Sequence, residues 1–200
     1  MIEAEPTPAD GEVDPPLAGR AGLDVPTAAV GLHGVPLRLE VASARLPRTA
    51  GLYAWWAAPE VLSAVGGPVS EADPGLRLLY LGVAANLHTR IVRNHLARSG
   101  TSTLRRTLAG LLMAAERYTT MWKTDRVVLT PVDEVRLTTW MHRNLRLTWF
   151  PCDDPRSHET RLITELGPPL NVEGAAPGAA RDLVTSAKAA YAASARPTLA

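Results

Sequence analysis

The chain has 200 residues, of which 46% are hydrophobic, and a formal net charge of +1 at pH 7. These values are typical of a globular protein, and no apolar run approaches the roughly 18 residues that span a bilayer, which argues against a membrane protein. The single cysteine, Cys152, excludes an internal disulfide and a zinc site built from several cysteines. The first residues are acidic and lack the basic and apolar regions of a signal peptide, so we expect a cytoplasmic protein.

The first half of the chain begins with a polar extension, which short apolar segments follow. Residues 1–24 are rich in Pro, Ala, Gly and acidic residues and have little to bury, which predicts a disordered extension. Alternating apolar residues over 35–41 predict a half-buried strand, and Pro36 places this strand near the edge of a sheet. The segments Gly51–Ala57 and 78–84 predict two further strands.

Helices are more frequent in the second half. Asn86 is the predicted N-cap of a helix that ends near Arg98, and Thr101 or Ser102 caps the next helix. The next predicted elements are a strand over 126–132, a helix that Asp133 and Glu134 open and that ends near Leu145, and a strand over 147–150. They are followed by a helix that Asp153 or Asp154 opens and that ends before Pro168, and by an Ala-rich helix over 179–195. Interleaved strands and helices of this kind predict an α/β or α+β layered fold.

Basic residues are concentrated in one segment. No acidic residue occurs between Gly75 and Ala115, although six arginines lie there, and 19 of the 21 basic residues of the chain are arginine. The planar guanidinium group suits phosphate oxygens, so this segment is a candidate nucleic-acid-binding surface. The alternative is a solvated face that reflects a general use of arginine in place of lysine. The candidate phosphate contacts are Arg93, Arg98, Arg105 and Arg106.

One carboxylate lies at an unusual position on a predicted helix. At 100° per residue, Glu159 shares a face with Leu162, Ile163 and Leu166, whereas Glu165 lies on the opposite face. A carboxylate on an apolar face is costly unless it pairs with a cation or binds a metal. Glu159 is therefore a candidate metal ligand, and the alternative is a structural ion pair with an arginine.

The same projection of the helix that begins at Asn86 separates Arg90 from the apolar face. His95 falls among the apolar positions, which favours a buried structural histidine over a catalytic one. Tyr53 and Tyr80 lie within short apolar strands, where a tyrosine taken alone is most often a core residue with its hydroxyl at the edge.

Several of these residues form an ordered set. The segments Gly51-Leu52-Tyr53 and Tyr80-Leu81-Gly82 lie on neighbouring predicted strands, and Arg90 follows the second tyrosine by ten residues. Glu159 precedes Asn171 by twelve residues, and a Pro-Leu pair stands directly before that asparagine. In this order and spacing the chain resembles the GIY-YIG nuclease superfamily over about 50–173. The tyrosines stand 27 residues apart, a longer connection than in most members, although some restriction enzymes of the family carry such an insertion.

The resemblance implies a domain organisation as well as a fold. We expect a small antiparallel central sheet flanked by helices in a single catalytic domain over 25–175. The disordered extension over 1–24 precedes the domain, and an Ala-rich tail that includes a helix follows it over 176–200.

The resemblance also implies an activity, namely metal-dependent endonucleolytic hydrolysis of nucleic acid, with DNA as the expected substrate. Glu159 would hold Mg²⁺ (or Mn²⁺), Tyr53 would orient or deprotonate the attacking water, and Arg90 would neutralise developing charge. Tyr80 would hold the geometry, and His95 is the candidate for the additional acid-base group that many members carry. Gly82 and Asn171 would be structural residues near the site, the latter by connecting the end of the domain to the catalytic helix.

Two other functions remain open at this stage. One is a binding module that keeps the fold and the basic surface without cleaving nucleic acid. The other is an enzyme of a biosynthetic pathway that uses the same scaffold on a nucleotide-like or nucleic-acid-linked small substrate.

Overall fold

The centre of the fold is a four-stranded antiparallel sheet. The computed structural model of the chain describes residues 31–173 and 177–195. The strands of this part of the chain are β1 Leu37–Arg38, β2 Gly51–Ala57, β3 Arg77–Ala84, β4 Thr120–Lys123, β5 Arg126–Leu129 and β6 Leu145–Pro151. The sheet has the order β1-β6-β2-β3, and each neighbouring pair is antiparallel, while β4 and β5 form a separate hairpin.

Helices cover the sheet and form most of the connections. They are α1 Leu39–Arg45, a π-helix Thr89–His95, a 3₁₀ turn Ser99–Thr101, α2 Thr103–Glu116, α3 Pro131–Asn144, α4 Arg156–Leu166 and α5 Ala179–Ala193. The predicted fold, a small antiparallel sheet flanked by helices, is confirmed. Among the described residues, none of these helices has both the length and the apolar character needed to cross a membrane.

Strand β2 is buried along its whole length because helices cover both faces of the sheet. Successive side chains of a strand point to opposite faces. Tyr53 accordingly joins one apolar layer with Leu108 of α2, and Trp56 joins the other layer with Leu162 of α4. The sheet therefore separates two apolar layers.

Strand β3 forms one edge of the sheet. Tyr80 points into the first layer, where it packs against the cluster that contains Tyr53. Helix α4, whose buried residues belong to the second layer, runs along β3. Tyr80 and side chains of α4 can therefore lie close together at this edge of the sheet.

Helix α5 lies directly against α2. Val184 and Tyr191 are the buried residues of α5, and its backbone comes so close to Gly110 that a Cβ atom there would overlap the carbonyl oxygen of Ala187. The Ala-rich segment therefore forms a helix, as predicted, and this helix is attached to the domain.

The predicted strand over 35–41 is wrong for most of its length. Only Leu37 and Arg38 pair with β6, at the other edge of the sheet, and α1 begins at Leu39. Leu39 and Ala42, three residues apart, are the buried residues of α1, whereas Val41 is 39% exposed. The segment has apolar residues at both strand and helix spacings, and burial of the helical pair determines the structure.

Other boundaries differ by a few residues from those predicted. The strand expected over 126–132 ends at Leu129, because Pro131 takes the first position of α3, where its missing N–H is not needed. Strand β4 was not predicted at all. The expected extension over 1–24 lies outside the described residues, as do 25–30, 174–176 and 196–200.

Candidate active site

The hydroxyl of Tyr53 is the centre of a buried polar cluster. Tyr53 is 1% exposed, and its hydroxyl oxygen lies 2.7 Å from Nε2 of His95. The same oxygen accepts a hydrogen bond from Nε of Arg90 at 3.3 Å. Burial raises the pKa of Tyr53, so the phenol is protonated at neutral pH.

Gly82 provides the space that this hydroxyl occupies. It is the residue of β3 that pairs with Tyr53 of β2. A Cβ atom at Gly82 would lie 2.5 Å from the Tyr53 hydroxyl oxygen, closer than two such atoms can approach. A larger residue at Gly82 would therefore displace the tyrosine from its partners.

The π-helix brings Arg90 and His95 to the same tyrosine. In a π-helix the backbone hydrogen bonds join residues five apart, whereas an α-helix joins residues four apart. Arg90 and His95 are separated by five residues, so they lie on neighbouring turns of one face. The sequence projection at 100° per residue placed them on different faces, because it assumed an α-helix.

His95 is fully buried and makes a second hydrogen bond through its other ring nitrogen. Nδ1 lies 2.6 Å from Oγ of Ser102, and this oxygen also accepts the backbone N–H of Arg105 at 3.0 Å as the N-cap of α2. Burial lowers the pKa of His95 well below its usual value, and the charges of Arg90 and Arg105 lower it further. The imidazole is therefore neutral. The sequence offered Thr101 or Ser102 as the cap, and the structure assigns that role to Ser102. The sequence gave no sign of the contact between Ser102 and His95.

Tyr80 connects this cluster to an open pocket. Its ring centroid lies 6.4 Å from that of Tyr53 and 6.2 Å from that of His95. The pocket has a volume of about 370 Å³ and contains Tyr80, Glu159 and Asn171 in its walls. Burial raises the pKa of Tyr80, and the positive charge of Arg90 opposes that rise.

Glu159 reaches the pocket from α4, at the edge of β3. Its carboxylate has no hydrogen bond or ion pair to any residue that the structure describes. Burial raises its pKa, while Arg156 and Arg90 act in the opposite direction. Glu165, as expected, is exposed on the other face of α4, where it pairs with Arg161 at 2.7 Å.

Asn171 connects the end of the domain to β3. Its side-chain amide donates to the carbonyl oxygen of Leu81 at 2.8 Å, and its side-chain oxygen accepts the N–H of the same residue at 2.9 Å. The sequence resemblance implied a connection to the catalytic helix, and this is corrected. Both bonds fall on the residue between Tyr80 and Gly82, so Asn171 fixes the strand that carries the second tyrosine.

The four arginines expected to contact phosphates occupy different environments. Arg105 is fully buried and forms a salt bridge to Glu134 at 2.8 Å, so it cannot reach a nucleic acid, and that expectation is corrected. Arg106 donates to the carbonyl oxygens of Ser99 and Gly100, which engages part of its guanidinium. Arg93 and Arg98 are exposed and stay candidates.

The edge of β3 therefore brings together Tyr53, Tyr80, Arg90 and Glu159, with His95 beneath the first tyrosine. A family model for the GIY-YIG catalytic domain matches residues 51–189, more than half of the chain. The chain belongs to the GIY-YIG family. Its fold is accordingly of the nuclease type. No curated protein and no solved structure matches it.

The pocket of this GIY-YIG domain has oxygen donors that suit a hard cation. Glu159 and Glu173 both lie in its walls. Among residues 31–173 and 177–195, no three His, Cys, Asp or Glu side chains are close enough together to hold a metal ion by themselves. Mg²⁺ is commonly bound by one or two carboxylates together with waters and substrate phosphates. The half-buried carboxylate of Glu159 fits such an ion.

Proposed function

We propose that the protein is a metal-dependent endonuclease that hydrolyses phosphodiester bonds of nucleic acid, with DNA as the expected substrate. The observation that supports this most directly is the convergence of Tyr53, Tyr80, Arg90 and Glu159 at one edge of the sheet. These side chains come from two strands and two helices that are separated in the chain. A purely structural role does not account for the carboxylate that faces the pocket without a partner.

The buried cluster would position and activate the attacking water. With the Nδ1 proton of His95 donated to Ser102, Nε2 is free to accept the hydroxyl proton of Tyr53. A water hydrogen-bonded to the Tyr53 oxygen would transfer a proton to it while Tyr53 transfers its own proton to His95. The hydroxide so formed attacks phosphorus while the bond from phosphorus to the leaving oxygen breaks, and no separate phenolate is needed. The leaving oxygen takes a proton from solvent, and His95 returns its proton to solvent through Tyr53. This route suits a tyrosine whose pKa is raised. It also requires the negative charge of the bound phosphate to favour the imidazolium, because burial and the charges of Arg90 and Arg105 lower the pKa of His95.

Arg90 and Glu159 would act on the phosphate. Arg90 donates to the Tyr53 hydroxyl, and its guanidinium would neutralise the charge that develops on the phosphate oxygens. Glu159 would hold one Mg²⁺ (or Mn²⁺), which supplies further charge neutralisation when it is bound. Tyr80 would fix the position of the phosphate at the pocket entrance, and Asn171 would fix Tyr80 through β3.

The proposal is tested by cleavage of supercoiled plasmid, with and without Mg²⁺. We expect Mg²⁺-dependent nicking that Glu159→Gln abolishes, because the substitution removes a metal ligand and little volume. Tyr53→Phe should lower the rate by a factor of about 100 or more, the usual contribution of a general acid-base group, without weakening the binding of metal. Binding of Mg²⁺ is measured by calorimetry on the same samples.

Glu165→Gln is the matched control for the glutamate. It changes the same residue type on the same helix, on the exposed face away from the pocket. We expect it to cleave as the parent does. Cleavage by Glu159→Gln at the parental rate would show that this carboxylate is structural and would overturn the proposed function.

A second candidate function is hydrolysis of a small phosphodiester by the same residues. The pocket volume of about 370 Å³ is within the range for small-molecule sites, and burial of Arg105 reduces the basic surface that a long nucleic acid would use. Under this alternative, affinity would depend little on ionic strength. An endonuclease that contacts several phosphates should lose affinity steeply with added salt.

A further inference from the structure

The pocket that contains Glu159 also contains a lysine from the C-terminal helix. Lys188 of α5 lies in its wall together with Glu159, Glu173 and Tyr80. Among the described residues, its ammonium group forms no salt bridge with any carboxylate. A cation that lines a pocket beside two carboxylates without pairing to either is available for an anion that enters the pocket.

The position of Lys188 on α5 is an inward one. It follows the buried Val184 by four residues and precedes the buried Tyr191 by three, and these spacings place all three on one face of a helix. An aliphatic residue is the usual occupant of such a position. Lys188 is instead half-buried and lines the pocket, as a long charged side chain does when its stem is covered and its charge is accessible.

The packing of α5 fixes this lysine. Gly110 of α2 allows the backbone of α5 at Ala187, the residue before Lys188, to approach so closely that a Cβ atom would not fit between them. Tyr191 is 2% exposed and holds the next turn. Because α5 cannot rotate without losing these contacts, Lys188 stays directed at the pocket.

The charges in the pocket indicate what Lys188 binds. Its walls contain two carboxylates, Glu159 and Glu173, and one cation, Lys188, so the side chains alone repel a phosphodiester. A divalent ion held by Glu159 would make the net charge of the pocket positive. Arg90, which donates to Tyr53, would neutralise the phosphate under the proposed function, and Lys188 is the pocket cation that α5 contributes.

We propose that Lys188 binds a backbone phosphate of the nucleic acid in this pocket, next to the phosphate that is cleaved. The proposal rests on the proposed endonuclease function. It assigns α5 a role in binding the substrate, in addition to its packing against α2. Lys188 is a positioning residue for the substrate, and it takes no proton in the reaction.

The composition of the chain allows a direct test. Lys123 and Lys188 are the two lysines of the sequence. Reductive methylation with ¹³C-formaldehyde labels both, and a Lys123→Arg variant assigns the signals. A phosphorothioate-linked duplex, titrated into the labelled protein with Ca²⁺ as the divalent ion, should shift the Lys188 signal along the same curve that fluorescence anisotropy gives for binding.

Variants provide a second readout. We expect Lys188→Met to raise KM for a short duplex by roughly 10- to 100-fold, the loss of one hydrogen bond to a charged group, with kcat changed little. Lys188→Arg should restore most of the affinity, because the charge returns. The melting temperature of Lys188→Met should match or exceed that of the parent, since an apolar residue suits the inward position.

Two outcomes would overturn the proposal, and they are distinguishable. If the duplex binds and the Lys188 signal does not move, the lysine does not contact substrate, while the endonuclease function is unaffected. If no duplex or single strand binds or is cleaved, the endonuclease function and the role of Lys188 fail together. The anisotropy measurement separates the two cases.

Discussion

Arg105 and Glu159 are both charged residues that turn inward from a helix, and their environments differ completely. Arg105 is fully buried, and each nitrogen of its guanidinium donates to oxygens of Glu134, Thr138 or the His95 backbone. Glu159 faces an open pocket and has no partner among the described residues. A buried charge whose hydrogen bonds are all satisfied stabilises the fold, whereas an unsatisfied charge beside a cavity is available for a ligand.

The largest expected effect is the loss of stability when Arg105 is replaced. Arg105→Met would leave the half-buried oxygens of Glu134 and Thr138 with fewer donors, and removal of one partner of a buried ion pair typically destabilises by about 3 to 5 kcal/mol. We expect a loss in this range in the free energy of unfolding, measured with urea. Arg98→Met, at an exposed position, is the control and should change it by less than about 0.5 kcal/mol.

A double-variant cycle sharpens the same prediction. Arg105→Met combined with Glu134→Gln should lose clearly less than the two single variants together, because the ionic interaction can be lost only once. Strict additivity of the two changes would show that the salt bridge contributes nothing to the stability of this fold.

The next effect concerns Glu159, whose substitution should raise stability where substitution of Arg105 lowers it. A carboxyl whose pKa is raised on folding is most favourable when it is protonated, so it reduces stability once pH exceeds its folded pKa. In chelator at pH 7, Glu159→Gln should therefore melt at a higher temperature than the parent. The difference should vanish as pH falls below about 4.3, the unfolded value. Differential scanning calorimetry across this pH range checks both statements.

Magnesium should invert that order. Mg²⁺ that binds the native parent raises its melting temperature by mass action, and the variant should not respond. Glu165→Gln, which affects only an exposed pair with Arg161, should follow the parent in chelator and in Mg²⁺. A parent that is more stable than Glu159→Gln in chelator at pH 7 would show that this carboxylate has a stabilising partner after all.

The sequence predicted the environment of Glu159 better than that of Arg105. Glu159 was found because its apolar neighbours lie three, four and seven residues along one helix, which makes its position local information. Arg105 was misassigned as a phosphate contact because its partners, Glu134 and Thr138, lie 29 and 33 residues away on α3. No local pattern distinguishes an arginine in such a network from an exposed one.

The distinction between local patterns and contacts that are distant in the chain also explains the other differences between prediction and structure. The sheet and the edge position of β1 follow from apolar alternation and Pro36, whereas the start of α1 at Leu39 depends on burial against the assembled sheet. The orientation of His95 depends on a π-helix, and that backbone geometry has no simple sequence signature. Asn171, which bonds to the distant backbone of β3, was correctly expected near the site, but its expected partner was the catalytic helix.

The smallest predicted effect is at Ser102, which has both a stabilising contact and a contact with the active site. This hydroxyl caps α2 through the N–H of Arg105 and also holds Nδ1 of His95, so it belongs to the stabilising network and to the active site. Ser102→Ala should lower the free energy of unfolding by about 1 kcal/mol through loss of the cap. It should also lower kcat roughly tenfold, because His95 loses the partner that fixes its tautomer.

Ser102→Gly separates these two roles, because glycine is tolerated at an N-cap at a cost of only a few tenths of a kcal/mol. If His95 acts on Tyr53 as proposed, the alanine and glycine variants should lose kcat equally, with KM unchanged and the same shift in the pH–rate profile, while only the alanine variant loses stability. Loss of rate in proportion to loss of stability would instead mean that Ser102 serves the helix alone. Tyr53 would then depend on Arg90 and the metal, without a proton acceptor beneath it.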